Sequence, residues 1–159
     1  MGYNLTIGEL RVETYDDGPE YDNIRLTAES QEHETAPAFG EPTDYTNERW
    51  PSYTAWHEFC IKADIHDIMY DGRNDIIGGH PGVRVITKSF VDEINKRYKR
   101  FLMQNPEAKA TYGKEDPNDP LGYDTDNPDC NNVLCRFEWL RYWTNWAYEN
   151  CKVPVLANS

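Results

Sequence analysis

The sequence predicts an α+β fold: an N-terminal antiparallel β-hairpin packed with three to four helices around a Trp-rich C-terminal helix. Three observations predict it. Apolar residues alternate near the N-terminus, recur at helical spacing over residues 90–104, and fill a wide helical arc over residues 132–151. A chain of 159 residues is the length of one ordinary domain, so residues 1–159 are interpreted as a single domain.

The first hairpin is predicted from period-two alternation. The phase of that alternation changes at Gly8-Glu9, which predicts a β-bulge there. A turn is predicted at residues 16–19, where two Asp residues precede Gly18 and Pro19, and alternation resumes over residues 24–28. The alternating residues before the turn are Tyr3, Leu5, Ile7, Leu10 and Val12.

The middle of the chain predicts three helices and one extended segment. Ser52 is a suitable N-cap for a helix through Ala63, and a short helix is expected over residues 64–70. Residues 83–86 predict a short strand or an extended lead into the clearest amphipathic helix, Phe90 to Gln104, with Thr87 and Ser89 as candidate caps. Ser89 and Asp92 have capping-box spacing.

The last helix, predicted over residues 132–151, has an apolar arc of roughly half the circumference, wider than a surface helix requires. Trp139, Trp143 and Trp146 lie on one side of it, and a second apolar stripe runs beside them. This width predicts a central core element that contacts the rest of the protein on two sides. Pro154 ends the helix, and Val153 to Leu156 predict a short extended tail against the core.

Long acidic loops are predicted at about 29–49 and 105–131, and the net charge is −12. Because phosphate binding needs a positive field, this charge disfavours direct nucleic-acid binding; its plainest role is solubility. Positively charged side chains are concentrated on the predicted helix at 90–104 and in the residues just before it. Loop residues such as Asp124, Asp126 and Asp129 do not match a calcium-binding spacing, so a solvated loop is preferred.

No apolar run is long enough for a membrane span and no signal segment is visible, so a cytoplasmic location is predicted. The cysteines are scattered and expected to be reduced, with no structural zinc site. No P-loop, G-x-S-x-G or dinucleotide fingerprint occurs. His66-Asp67, with His57 nearby, resembles part of a metal-dependent phosphohydrolase site, but the remaining ligands are missing. No catalytic residue, metal or cofactor is therefore predicted.

The best candidate for a ligand site is a set of arginines beside aromatic rings, which could stack a planar group and pair with an anion. Arg136 projects beside Trp139 and Trp143, and Arg49 and Trp56 form a second such group. His80 lies in a Gly-rich loop where it could be exposed. The sequence leaves open whether the Trp139–Trp143 edge lines a cavity or packs in the core, with the arginines extending to water.

Four stretches resemble a group of small phage and bacterial proteins with no established activity. They are Met1–Glu9 (MGYNLTIGE), Pro51–Trp56 (PSYTAW), His80–Gly82 (HPG) and Trp143–Cys151 (WTNWAYENC). The resemblance covers most of the chain and implies a small accessory protein of phage or prophage type. It supplies no functional residues to carry over.

The sequence therefore predicts a non-enzymatic phage-type accessory protein that binds a small anionic, nucleotide-like ligand or a host protein, with counter-defence as one role. If the protein is phage-encoded, its location is the host cell cytoplasm. One alternative is an acidic inhibitor that imitates nucleic-acid charge and blocks a basic host protein. A second alternative is a metal-dependent hydrolase. The sequence gives no oligomeric state.

Overall fold

The computed structural model describes residues 2–16, 22–37, 45–70, 76–110 and 129–159. Its strands are β1 (Leu5–Asp16), β2 (Asp22–Ala28), β3 (Glu48–Arg49), β4 (Gly82–Val85) and β5 (Pro154–Asn158). Its helices are α1 (Tyr53–Lys62), α2 (His66–Met69), α3 (Lys88–Gln104) and α4 (Asp129–Asn150), with a 3-10 turn at Ile76–Gly78. The predicted α+β fold, with its N-terminal hairpin and Trp-bearing last helix, is confirmed.

The strands form one antiparallel sheet in the order β2-β1-β5-β4, and β3 pairs with the start of β1. The predicted tail after Pro154 is therefore a central strand, β5, which hydrogen-bonds to β1 on one side and β4 on the other. The sequence understated this element because the four apolar residues Pro154–Ala157 are too few to show a periodicity that distinguishes a buried strand from a tail.

The predicted bulge at Gly8-Glu9 is wrong. The pairing of β1 with β5 runs without interruption from Leu5–Asn158 to Glu9–Pro154. The phase change instead marks the point where the apolar face of the strand switches. Leu5 and Ile7 pack in the main core with the helices, whereas Leu10 packs on a second cluster that contains only strand residues. That second cluster consists of Ala28, Val155 and Ala157, with Leu10 and Val83 against it.

The helix caps follow from local hydrogen bonds. Ser52 caps α1 as predicted, since its Oγ accepts a hydrogen bond from the Ala55 amide at 3.1 Å. At α3 the cap is Thr87, whose Oγ1 accepts from the Phe90 amide at 3.2 Å. Ser89 lies inside that helix, so the alternative capping box with Asp92 does not form.

Helix α4 supplies the centre of the main core. Phe137 lies within 5.5–6.1 Å, centroid to centroid, of rings from α1 and α3. Leu140 and Ala147 are fully buried along the same side. The rings around Phe137 are Phe59, Tyr98 and Phe101.

The first predicted loop contributes a folded element, which we call the strap: residues 29–37 and 45–49. Asn47, completely buried, holds it to β1. The Asn47 side-chain amide donates to the carbonyls of Ile7 at 2.8 Å and Glu29 at 2.7 Å, and its Oδ1 accepts from the Gln31 amide at 2.8 Å. Residues 38–44 and most of the second predicted loop, 111–128, lie outside the described residues.

Candidate functional site

Arg49 and Trp139, two of the predicted site residues, lie together. The Arg49 guanidinium carbon is 5.3 Å from the centroid of the Trp139 ring. Both side chains also donate to the Thr46 carbonyl, Arg49 through Nη1 at 3.3 Å and Trp139 through Nε1 at 2.9 Å. The arginine–aromatic pair therefore fastens the strap to α4.

Trp143 is fully buried and faces the strap as well. The ring of His33 lies 4.5 Å from the Trp143 ring and 4.9 Å from the Trp146 ring, measured between centroids. His33 Nδ1 is 3.0 Å from the Tyr142 hydroxyl. The sequence analysis missed His33, because a single histidine in a polar stretch carries no signal of its partner more than one hundred residues away.

The remaining predicted site residues are dispersed. Trp56 is buried, with its ring 5.0 Å from Phe59, and Arg136 is half-buried on α4. His80 is exposed and contacts the rings of Tyr3 and Tyr53, at 5.3 Å and 5.8 Å between centroids. Among the described residues, His80 thus lies on the protein surface, apart from the buried tryptophans.

The cations of α3 are largely paired with carboxylates. Arg100 pairs with Asp64, Lys88 with Asp92, and Lys96 with Glu93. Arg84, just before the helix, donates to the Ile68 carbonyl at 2.6 Å. Neighbouring carboxylates therefore offset much of the positive charge of this predicted cationic region.

The imidazoles of His57 and His66 lie edge to face, 4.9 Å between centroids. The carboxylate of Asp67, however, is bound on both oxygens by Arg97, which lowers the pKa of that carboxyl through hydrogen bonds and charge. No group of three or more His, Cys, Asp and Glu side chains in the described part of the chain could hold a metal ion.

A half-buried polar contact between α3 and α4 involves Glu138. Tyr98 donates its hydroxyl to Glu138 Oε1 at 3.3 Å, and the guanidinium of Arg141 lies 4.6 Å from the Tyr98 ring centroid. Burial raises the pKa of Glu138, outweighing the opposing effects of Tyr98 and Arg141. Ionisation of this carboxyl is thus less favourable in the folded protein than in the unfolded chain.

We expect Glu138 to make stability pH-dependent. Since its pKa is raised on folding, its stabilising contribution is fully present below the unfolded value of about 4.3 and is lost as pH rises through the folded pKa. Between about pH 4 and pH 7, urea unfolding should show wild type losing stability relative to Glu138→Gln. Glu149→Gln, at an exposed position of the same helix, is the control. Parallel curves for wild type and Glu138→Gln would contradict the prediction.

The end of the hairpin forms an exposed feature that we call the arm: residues 10–16 of β1 paired with β2. Val12 lies directly opposite Leu26, and Ile24 lies opposite Thr14 on the same face. The side chains of Val12, Ile24 and Leu26 are exposed by 55%, 64% and 43%. These three residues, called the arm strip, continue the apolar face that begins at the second cluster.

The sequence that connects the two strands of the arm is acidic: residues 16–22 contain four acidic residues and no Lys or Arg. The face opposite the strip is polar and carries the ion pair between Arg11 and Glu13, 3.3 Å from Nε to Oε1. An exposed apolar strip on a protein with a net charge of −12 suits a partner surface that is both apolar and basic.

Comparison with protein families, with curated proteins and with solved structures finds no match to this chain. Among the described residues, no helix has both the length and the apolar character needed to cross a membrane.

Proposed function

We propose that this protein is a non-enzymatic, phage-type accessory protein that acts by binding a host protein through the arm. The arm strip is the observation that carries the proposal. Three large apolar side chains exposed on one face of a hairpin are typical of a protein-interaction surface. The phage context comes from the sequence resemblance, and countering host defence is a role that such binding would serve.

The chemistry of the arm specifies the partner surface. The net charge of −12 favours a basic partner, because opposite charges accelerate encounter and exclude like-charged competitors. The strip requires an apolar patch on that partner. Proteins that bind nucleic acids also have basic, partly apolar surfaces. The proposed partners therefore include the basic host proteins that an acidic inhibitor would block.

The proposal predicts a loss of binding when the strip becomes polar. We expect the triple variant Val12→Ser, Ile24→Ser, Leu26→Ser to bind a purified host partner at least about tenfold more weakly than wild type. The partner is first identified by mass spectrometry of proteins that wild type retains from a bacterial lysate. Titration calorimetry with the purified partner then gives the affinities.

Met103→Ser is the matched control, because Met103 is 83% exposed but lies on α3, away from the arm. It should retain the partner. If wild type and the triple variant bind the partner with equal affinity, the arm strip is not part of the binding surface. If the affinity instead collapses with added salt while the triple variant still binds, charge imitation alone explains the interaction and the acidic-inhibitor alternative is preferred.

Binding of a small anionic ligand at the arginine–tryptophan group has less geometric support. Trp139 and Trp143 are buried, and Arg49 already donates to carbonyls of the strap. The direct test is mass spectrometry of small molecules released by denaturing the purified protein, followed by calorimetry with cyclic and ADP-ribose-type nucleotides. A co-purifying nucleotide would favour this version. The metal-dependent hydrolase has less support still, since Asp67 is engaged by Arg97.

A further inference from the structure

Strand β2 lies at the edge of the sheet. It pairs with β1 on one side, and within the described residues no strand pairs with its other side. A strand edge of this kind exposes backbone N–H and C=O groups that can pair with another chain. The register of β1 and β2 determines which residues of β2 present those groups.

The Glu29 amide donates to the Glu9 carbonyl at 2.9 Å, so Glu9 and Glu29 form a hydrogen-bonded pair. Hydrogen-bonded and non-hydrogen-bonded pairs alternate along an antiparallel ladder. The ladder continues in the same register, so Val12–Leu26 and Thr14–Ile24 are non-hydrogen-bonded pairs. The backbone N–H and C=O groups of Ile24 and Leu26 therefore point away from β1, toward the free edge.

The same two residues carry exposed apolar side chains of the arm strip. Backbone hydrogen-bonding groups and apolar contact area are thus presented together at Ile24 and Leu26. The intervening residue, Arg25, pairs its backbone with Glu13 of β1 instead. This combination matches the requirements of strand addition, in which main-chain hydrogen bonds give affinity and alternate side chains give specificity.

We propose that the free edge of β2 binds an extended segment of the partner protein as an added strand. This inference rests on the proposed function and specifies how the partner is held. Alternate apolar side chains of the segment lie beside those of Ile24 and Leu26 on the same face of the sheet, and Lys or Arg residues in the segment complement the net charge of −12. A second copy of this chain is a poorer occupant, because each copy carries a net charge of −12.

The probe is a synthetic peptide, acetyl-Lys-Lys-Val-Thr-Val-Thr-Val-amide. It is used together with the peptide of reversed sequence, because an added strand can run either parallel or antiparallel to β2. We expect saturating peptide to slow hydrogen exchange of the Ile24 and Leu26 amides by at least about tenfold, as measured by NMR, since those amides become hydrogen-bonded. The Arg25 amide, already bonded to β1, should change little. A peptide with Glu in place of Lys should bind more weakly. Unchanged exchange at Ile24 and Leu26 with both peptides would overturn the proposal.

The matched variants are Leu26→Pro and Leu26→Ala. Proline removes the outward N–H without removing a bond to β1, and proline is tolerated at such edge positions. We expect Leu26→Ala to weaken peptide binding only a few-fold and Leu26→Pro to weaken it at least about tenfold beyond that. If Leu26→Pro disturbs the arm, peptides N-methylated at their Val residues replace it, and undiminished binding of every such peptide overturns the proposal.

Partner binding by these variants distinguishes a failure of strand addition from a failure of the proposed function. If Leu26→Pro binds the purified host partner as well as Leu26→Ala does, while the triple serine variant does not, the strip functions without strand addition. If none of these variants affects partner binding, the proposed function fails too. A dimer of the protein alone that light scattering detects in wild type and not in Leu26→Pro would assign the edge to a second copy and overturn the inference.

Discussion

Trp143→Ala is expected to destabilise the folded protein by about 3–5 kcal/mol, the cost of deleting a large buried ring from a packed core. Trp143 is fully buried and packs on His33, Tyr142 and Trp146. Removing it leaves a cavity where α4 meets the strap. The measurement is the free energy of unfolding from urea titration followed by circular dichroism.

Two variants control this prediction. Trp143→Phe should cost about 1 kcal/mol, because a smaller ring keeps part of the packing and the indole N–H of Trp143 makes no hydrogen bond to the described residues. Trp50→Ala, at a tryptophan that is 58% exposed, should stay within about 0.5 kcal/mol of wild type. A fully stable Trp143→Ala protein would show that the ring does not support the core.

The expected destabilisation of Trp143→Ala determines which substitution can test ligand binding at the arginine–tryptophan group. A loss of binding in Trp143→Ala would be confounded by loss of the fold, so that substitution does not separate a ligand contact from a core residue. Arg49→Lys is a cleaner probe, since it keeps the charge and removes the planar guanidinium that stacks on Trp139.

Asn47→Ala is expected to destabilise the protein by about 3 kcal/mol. The substitution leaves three backbone groups without their partner: the carbonyls of Ile7 and Glu29 and the amide of Gln31. Because Asn47 is completely buried, water cannot replace those hydrogen bonds without opening the strap. Urea unfolding measures the loss, and amide hydrogen exchange shows whether residues 29–37 become less protected.

Asn150→Ala is the comparison, because Asn150 is exposed and makes one local hydrogen bond, to the Trp146 carbonyl at 2.9 Å. It should change the stability by less than about 0.5 kcal/mol. If both asparagine variants unfold at the same urea concentration, the strap is held by its ring contacts with α4 and not by Asn47.

Leu10 and Val12 show what alternation along a strand leaves undetermined. The change from odd-numbered to even-numbered apolar residues predicts a bulge at Gly8-Glu9, whereas in the structure the two sets lie on opposite faces of an uninterrupted strand. Period-two alternation identifies which residues share a face, but it does not say whether that face is covered. Here the helices cover the face of Leu5 and Ile7, and Val12, on the opposite face, is exposed.

The predicted ligand residues illustrate a similar limit. Helical spacing correctly grouped Trp139 and Trp143 on one side of α4, and both are buried in the main core. The spacing could not show that the strap lies against that side, because Thr46 and His33 are about a hundred residues away and polar loops carry no periodicity.

By itself, the sequence determined the local features of this protein: the hairpin, the Ser52 cap, the amphipathic α3 and the wide apolar arc of α4. Each depends on residues within a few positions of one another, where backbone geometry alone fixes which side chains share a face. Only the tertiary structure decided that β5 is central, that Asn47 closes the strap, and that Ile24 and Leu26 present both side chains and backbone at an edge with which no other described strand pairs. Those facts depend on pairing between distant segments, and hydrogen-bond register across such a distance is not encoded in any local pattern.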